Sequence, residues 1–207
     1  MYIFLHMIKK EYEKVIERLF KNKSVLKLKQ ITENGIHPEQ IRRMVADGTL
    51  IRTGYGLYMK PDAEITRYHS LAEIAEQIKN GVICLLSALQ FHEIGTQMPG
   101  DIWIGIRRKT AIPRIRSHSV RIITYSTISF YEGIEEYTIE GIAVKIYNPA
   151  KTVADCFKYR NKIGLDIAIE ALKDVVENKI CSIDELWKYA KICRIHNIIK
   201  PYVEVLV

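Results

Sequence analysis

An α+β fold in two parts is what this chain predicts, and three observations predict it. Residues 27–59 run helix, turn, helix and then a short basic hairpin; residues 102–147 hold β-branched, partly alternating segments; residues beyond 148 return to helical periodicity. With 207 residues, 48% of them hydrophobic, the chain can bury a sizeable core without disulfide or metal staples, which excludes a disordered protein.

Ile8, Tyr12, Val15, Ile16 and Leu19 recur at helical spacing with Lys, Glu and Arg between them, so the chain opens with an amphipathic helix ending near Phe20. Residues 27–34 read as a short helix, Gly35-Ile36 as a turn, and residues 38–47 as a further helix with His37 as its cap and Pro38 at its first position. In that helix Ile41, Met44 and Val45 share one face, which turns Glu39, Gln40, Arg43 and Asp47 outward. Residues 50–59, rich in Gly and Arg, read as a two-stranded wing. A short turn between two helices, followed by such a hairpin, is the order of a winged helix-turn-helix, which lays its second helix into the DNA major groove.

Pro61-Asp62 marks the expected boundary: residues 1–61 form the winged helix-turn-helix domain, and residues 62–207 a mixed α/β domain with a small sheet and several helices. Ser70-Leu71-Ala72-Glu73 has capping-box spacing and predicts a helix with Leu71, Ile74, Ala75 and Ile78 inside, closed at Asn80-Gly81. Residues 82–94 are apolar almost all round and end at Gly95, which predicts a buried core helix. Strands are predicted over 102–106, 120–125, 137–139 and 142–147, the last two joined as a hairpin at Glu140-Gly141. Asn148 then caps a helix with Pro149 at its first position and Ala150, Val153, Ala154 and Phe157 as its inner stripe, and Gly164 ends that unit. Leu165, Ala168, Ile169, Leu172, Val175 and Val176 make another stripe, and Ser182-Ile183-Asp184-Glu185 is a second capping box.

The net charge of +7 is unevenly placed: residues 1–60 hold 12 Lys/Arg against 6 Asp/Glu, a net of +6, while residues 61–207 hold 19 against 18, a net of +1. The front part is therefore the expected polyanion binder. Cys84, Cys156, Cys181 and Cys193 include no C-x-x-C pair and no His at zinc-finger spacing, and each lies in an apolar or helical context. Buried free thiols in a reducing cytoplasm are the expectation. The apolar start at residues 1–5 is shorter than a signal-peptide core and runs at once into Lys9-Lys10, and no apolar run elsewhere reaches membrane-spanning length. Neither export nor membrane insertion is expected.

Double-stranded DNA is the ligand these features favour. Gln40 and Arg43 on the outward helix face can reach base edges, since Arg makes bidentate bonds to guanine and Gln to adenine. Lys27, Lys29, Arg42, Arg52 and Lys60 would grip phosphates, Gly54 and Gly56 would let the wing backbone approach closely, and Tyr55 at the hairpin tip would lie on the sugar-phosphate backbone. The alternative is a winged helix used as a protein-interaction module with an ordinary solvated basic surface. One winged helix reads one half-site, so an inverted repeat calls for a dimer or two cooperating monomers.

No catalytic constellation stands out in residues 62–207. Glu170-Ala171-Leu172-Lys173 has one residue too many for the D/E-x-K of a metal-dependent nuclease and reads as an i,i+3 surface salt bridge. Pro149-Ala150-Lys151-Thr152 lacks the glycines of a phosphate-binding loop, and His92, beside Glu93, has no second histidine at ligand spacing. Asp155 and Arg160 fall at polar positions of the helix stripe, facing neighbours or a partner protein. No metal, no cofactor and no enzymatic activity are expected.

The wing ending Arg52, Gly56-Leu57-Tyr58, the segment Cys84-Leu85-Leu86-Ser87-Ala88-Leu89 with Phe91-His92, and Met98-Pro99 leading into the strand at 102–106 form a recognisable set. To them is added the run Tyr147-Asn148-Pro149-Ala150-Lys151-Thr152-Val153-Ala154-Asp155, continuing through Phe157, Arg160 and Gly164 to Glu170-Ala171-Leu172. Together these resemble the AbiEi-like antitoxins, the transcriptional-regulator halves of bacterial type IV toxin–antitoxin (abortive infection) systems. The resemblance spans nearly the whole chain. It implies a winged-helix domain that binds inverted repeats in its own promoter, and an α/β domain that counteracts a cognate nucleotidyltransferase toxin without needing to bind it tightly. The chain departs from the family's pattern in carrying Thr53-Gly54-Tyr55 where members often have consecutive arginines. A regulator of the same build with no toxin, and a nuclease or nucleotide-modifying enzyme in residues 62–207, are the alternative readings.

Overall fold

The computed structural model describes residues 2–113, 115 and 117–206, and, in the first helix, side chains from Lys10 onward. The chain is α+β and divides into two compact units, Met1–Gln77 with Thr138–Ala143, and Ile78–Tyr137 with Val144–Val207. No helix among the described residues is long and apolar enough to cross a membrane.

The first unit opens with α1 (Tyr2–Phe20), whose inner stripe ends in the buried Ile16 and Phe20, with Tyr12, Val15 and Leu19 packed beside them. The inward position expected of Ile8 lies outside the described side chains. α2 (Leu28–Thr32) is closed at its start by Gln30, whose carboxamide oxygen accepts the Lys27 amide at 2.6 Å. α3 (Pro38–Ala46) begins at His37, whose Nδ1 accepts the Glu39 amide at 3.3 Å, and Pro38 supplies a fixed φ where no amide donor is needed.

The expected two-stranded wing is part of a three-stranded antiparallel sheet in the order β1-β3-β2, made by β1 (Val25–Lys27), β2 (Ile51–Gly54) and β3 (Leu57–Met59). Leu26 sits opposite Tyr58, and the register of β2 slips between Arg52 and Gly54. β1 has too few residues to display an alternation, which is why its sequence carried no strand signal. β3 lies between the other two strands, and both Leu57 and Tyr58 are buried, Tyr58 within the core that holds Ile16, Leu26 and Ile41.

α4 (His69–Gln77) starts before Ser70, which corrects the expected capping box. The Tyr68 carbonyl accepts the Leu71 and Ala72 amides, so Ser70 already lies inside the first turn and Glu73 is buried. The segment Thr138–Ala143 joins this unit through Glu140, whose carboxylate accepts from the Ser24 hydroxyl, the Thr66 amide at 2.6 Å and hydroxyl at 3.0 Å, and lies 2.7 Å from His69 Nδ1. Burial alone would raise the Glu140 carboxyl, but these donors outweigh it and hold the group below its ordinary value.

A second sheet, in the order β6-β5-β4-β8-β7, is made by β4 (Val82–Ile83), β5 (Ile102–Arg107), β6 (Val120–Tyr125), β7 (Ile134–Ile139) and β8 (Ile142–Tyr147), and all of it but the hairpin end Thr138–Ala143 belongs to the second unit. β4 is antiparallel to β5 and parallel to β8, while β5 and β6 run parallel. The helix expected over 82–94 is thereby corrected: Val82-Ile83 is the central strand, Cys84 is extended at φ −142°, and only α5 (Leu85–Phe91) is helical. A strand buried on both faces is apolar at every position, as is a buried helix, so periodicity alone does not separate them. At the β7–β8 turn Glu140 and Gly141 adopt φ of 52° and 75°, the paired left-handed geometry of a tight hairpin.

α6 (Thr127–Tyr131) follows β6, and the chain ends in α7 (Pro149–Lys158), α8 (Arg160–Ile163), α9 (Leu165–Glu177), α10 (Ile183–Ile192) and α11 (His196–Leu206). Asn148 caps α7 by accepting the Lys151 amide at 2.8 Å, and Ser182 and Glu185 form the expected reciprocal box at α10. α7 is the axis of the core, with every residue from Ala150 to Phe157 buried. Asp155, expected on a polar stripe, is one of them. It pairs with Lys151 and accepts from the Cys193 thiol at 3.2 Å. The Lys151 ammonium also lies 4.8 Å and 4.4 Å from the ring centres of Tyr125 and Tyr147.

Arg160, by contrast, turns back to donate to the Phe157 carbonyl at 2.9 Å. Cys84, Cys156 and Cys193 are buried free thiols, whereas Cys181 is half-buried, its thiol pushed up to about 11 by that burial.

Candidate nucleic-acid interface

α3 is two-faced for a local reason. Ile41 and Met44 enter the core formed by Ile16, Phe20, Leu26, Ile31, Ile36, Leu50 and Tyr58, which fixes the helix about its axis and leaves Glu39, Arg42 and Arg43 in solvent. Arg42 and Arg43 keep 80% and 63% of their side-chain exposure. Both lean on Glu39, at 3.4 Å from Arg42 Nη1 and 3.9 Å from Arg43 Nε. Exposed pairs of this kind are worth about 0–1 kcal/mol, so either guanidinium can leave the carboxylate for a stronger anion. Gln40 is half-buried at the edge of the same face.

The hairpin between β2 and β3 presents Tyr55, 78% exposed, at its tip, where Gly56 takes φ of 68°. The Gly56 carbonyl accepts the Leu28 amide at 2.8 Å, which bonds the tip of the hairpin to the start of α2. Lys29, one residue on, is 82% exposed and only loosely paired with Glu33 at 3.6 Å. Arg52 is exposed, and its Nε donates to the Gly54 carbonyl at 3.2 Å, so its guanidinium lies back along the strand.

Lys27 and Lys60 are differently placed. Lys27 keeps 26% of its side-chain exposure and pairs with Glu76 at 3.5 Å. Lys60 keeps 22% and is held by Glu17 at 3.0 Å and Asp62 at 3.2 Å, contacts that raise its pKa, Glu17 foremost. Of the eight positions the sequence singled out, Lys29, Arg42, Arg43, Arg52 and Tyr55 are exposed, Gln40 is half-buried, and these two lysines are already engaged. Two cations that the sequence reading passed over, Lys21 and Lys23, border a cleft of about 360 Å³ with Lys60, but Asp62, Glu64 and Glu140 line it too, leaving its charge mixed.

The second unit bears on the remaining sequence readings. Glu170 accepts from the Thr96 amide at 3.0 Å, the Thr96 hydroxyl at 2.7 Å and the Gln97 amide at 3.4 Å, while Lys173 pairs with Glu177 at 3.7 Å. The expected Glu170–Lys173 pair is thus corrected: a loop captures the carboxylate that the lysine was to meet. His92 lies with Nε2 2.8 Å from the Tyr147 carbonyl, and burial lowers its pKa. Among the described residues no three His, Cys, Asp or Glu side chains gather as a metal site.

No family model and no curated protein matches the chain. Among solved structures it is similar to the RV2827C protein from Mycobacterium tuberculosis, with a TM-score of 0.60 at 16% identity over 86% of this chain and 70% of that one. The likeness is one of fold.

Proposed function

We propose that this chain is a DNA-binding transcriptional autorepressor and the antitoxin of an AbiEi-like pair. Its first unit acts as a winged helix-turn-helix on inverted repeats in its own promoter. Its second unit counteracts a cognate nucleotidyltransferase toxin in the cytoplasm, without enzymatic activity of its own and without requiring tight contact with that toxin. The observation that carries the reading is the pair Arg42 and Arg43, open to solvent on one face of α3 while Ile41 and Met44 anchor the other. Further support comes from the element order α2, α3, β2, β3 and from the exposed Tyr55 at a hairpin tip bonded to α2. The +6 balance of residues 1–60 adds the long-range attraction that draws a protein to a polyanion.

Fluorescence-anisotropy titration of the full chain on its own promoter DNA and on scrambled DNA tests this. Arg43→Ala is expected to cost about 1–3 kcal/mol on the specific site, and Arg52→Ala to weaken both DNAs alike and flatten the salt dependence. Equal binding by wild type and both variants would overturn the interface. Co-expression of the proposed cognate nucleotidyltransferase with the full chain, wild type or Arg43→Ala, tests the antitoxin half: loss of toxicity with both forms supports it, and undiminished toxicity with both removes it.

A further inference from the structure

A second cleft, of about 270 Å³, opens within the second unit; Arg107, Lys145, Asn80 and Thr110 supply its polar groups, and Val82, Phe130, Ile134 and Tyr131 its apolar and aromatic wall. Its geometry follows from the sheet register. Val82 stands opposite Gly105 and Ile83 opposite both Ile104 and Ile146, so Val82, Gly105 and Lys145 fall on one face of the sheet, and Arg107, two residues past Gly105, projects on that face too. Arg107 and Lys145 thus line one cleft from two different strands. Neither forms an ion pair or hydrogen bond through its side chain with any described residue, and no Asp or Glu lines the cleft. Glu132, an acid one residue beyond Tyr131, is engaged by Lys188 at 3.7 Å.

The Asn80 carboxamide and the Thr110 hydroxyl border the same space and make no side-chain hydrogen bond to a described residue, while the Tyr131 ring, 60% exposed, forms its rim. Two cations and two hydrogen-bonding groups without side-chain partners among the described residues, and one largely exposed aromatic ring, surround a small volume. The cations neutralise a phosphate, the amide and hydroxyl meet polar edges of a ring or sugar, and the ring face stacks on a planar base. The volume, about 270 Å³, falls just below the range of drug-sized pockets, about 300–1,000 Å³, so the cleft admits a ligand no larger than a mononucleotide.

We infer that this cleft is a binding site for a nucleoside monophosphate, with Arg107 and Lys145 on the phosphate and Tyr131 under the base. It is separate from the α3 surface in sequence, in compact unit and in ligand size.

Isothermal titration of the full chain with AMP, GMP, UMP, the free nucleosides and inorganic phosphate tests the assignment. At least one nucleotide is expected to bind saturably, and more tightly than its nucleoside or inorganic phosphate. Arg107→Ala and Lys145→Ala, each with unchanged circular dichroism and melting temperature, should weaken it at least tenfold, whereas Tyr131→Ala should weaken the nucleotide but leave phosphate unaffected. Arg43→Ala should bind nucleotide as wild type does, which separates this site from the DNA surface. Absence of saturable nucleotide binding, phosphate binding as tightly as every nucleotide, or loss in Arg43→Ala with retention in Arg107→Ala would each overturn it.

Discussion

Lys151 and Asp155 stand one turn apart on α7 with their charged atoms 2.5 Å from each other and no solvent exposure on either side chain. The pair is enclosed by Tyr125, Tyr147 and Cys193, so the carboxylate is satisfied by the ammonium and a thiol, and the ammonium by the carboxylate and two ring faces. Such an arrangement is stable only as a unit, because each charge left alone in this interior would keep the full cost of its desolvation.

Lys151→Met alone is therefore expected to destabilise the protein by about 3–5 kcal/mol, and Asp155→Leu alone by a similar amount. The double variant should recover most of that loss. Urea unfolding of the three variants measures it, and a double variant as unstable as the sum of the singles would show that packing, not charge pairing, sets the cost.

Glu140 gives the fold an acid-sensitive tie. Its carboxyl titrates below the ordinary 4.5, so the folded form keeps it ionised where the unfolded chain takes up a proton. The stabilisation is complete above about pH 4.5 and is lost as pH falls through the folded value. Glu140→Gln should lower stability at pH 7 by about 1–3 kcal/mol and flatten the acid limb of a stability-versus-pH curve. An unchanged slope below pH 4.5 would assign acid sensitivity elsewhere.

Gly141, beside it, cannot take a side chain. Its φ is 75° and a Cβ would lie 1.5 Å from the Asn22 carbonyl oxygen. Gly141→Ala is expected to cost more than about 1 kcal/mol, the backbone strain adding to the clash, with a corresponding fall in melting temperature.

On the proposed DNA surface, Glu39 opposes what Arg42 and Arg43 favour. Glu39→Gln frees both guanidiniums and removes one negative charge, so it should tighten binding to scrambled duplex several-fold at low salt and steepen the salt dependence. Anisotropy at two ionic strengths checks this, and weaker binding would mean that Glu39 orients the arginines productively.

Where the chain announced its structure, it did so through local chemistry. Asn148 with Pro149, Ser182 with Glu185, and Glu140 with Gly141 each specify a cap or turn within a few residues, and each is found at its expected place. What escaped the sequence was set by partners distant along the chain. β1 is a strand because β3 lies beside it, and Val82-Ile83 is one because β5 and β8 flank it. The same distinction holds for the side chains. Exposure of Arg42, Arg43 and Tyr55 follows from helix phase and turn position, whereas Lys27 and Lys60 are drawn to Glu76 and Glu17 by contacts that no spacing rule anticipates. Arg107 and Lys145 come to line one cleft only through the strand order, which sequence spacing does not encode.

The shared carboxylate of Glu39 also weights what approaches α3, by no more than about 0–1 kcal/mol for each exposed pair. Its single negative charge serves two guanidiniums, so a lone anion that displaces it from one arginine leaves it bound to the other and gains little. An evenly charged polymer that meets both arginines together releases the acid altogether. On the DNA surface proposed for it, α3 is in this way slightly better matched to charges spaced along a line than to an isolated anion.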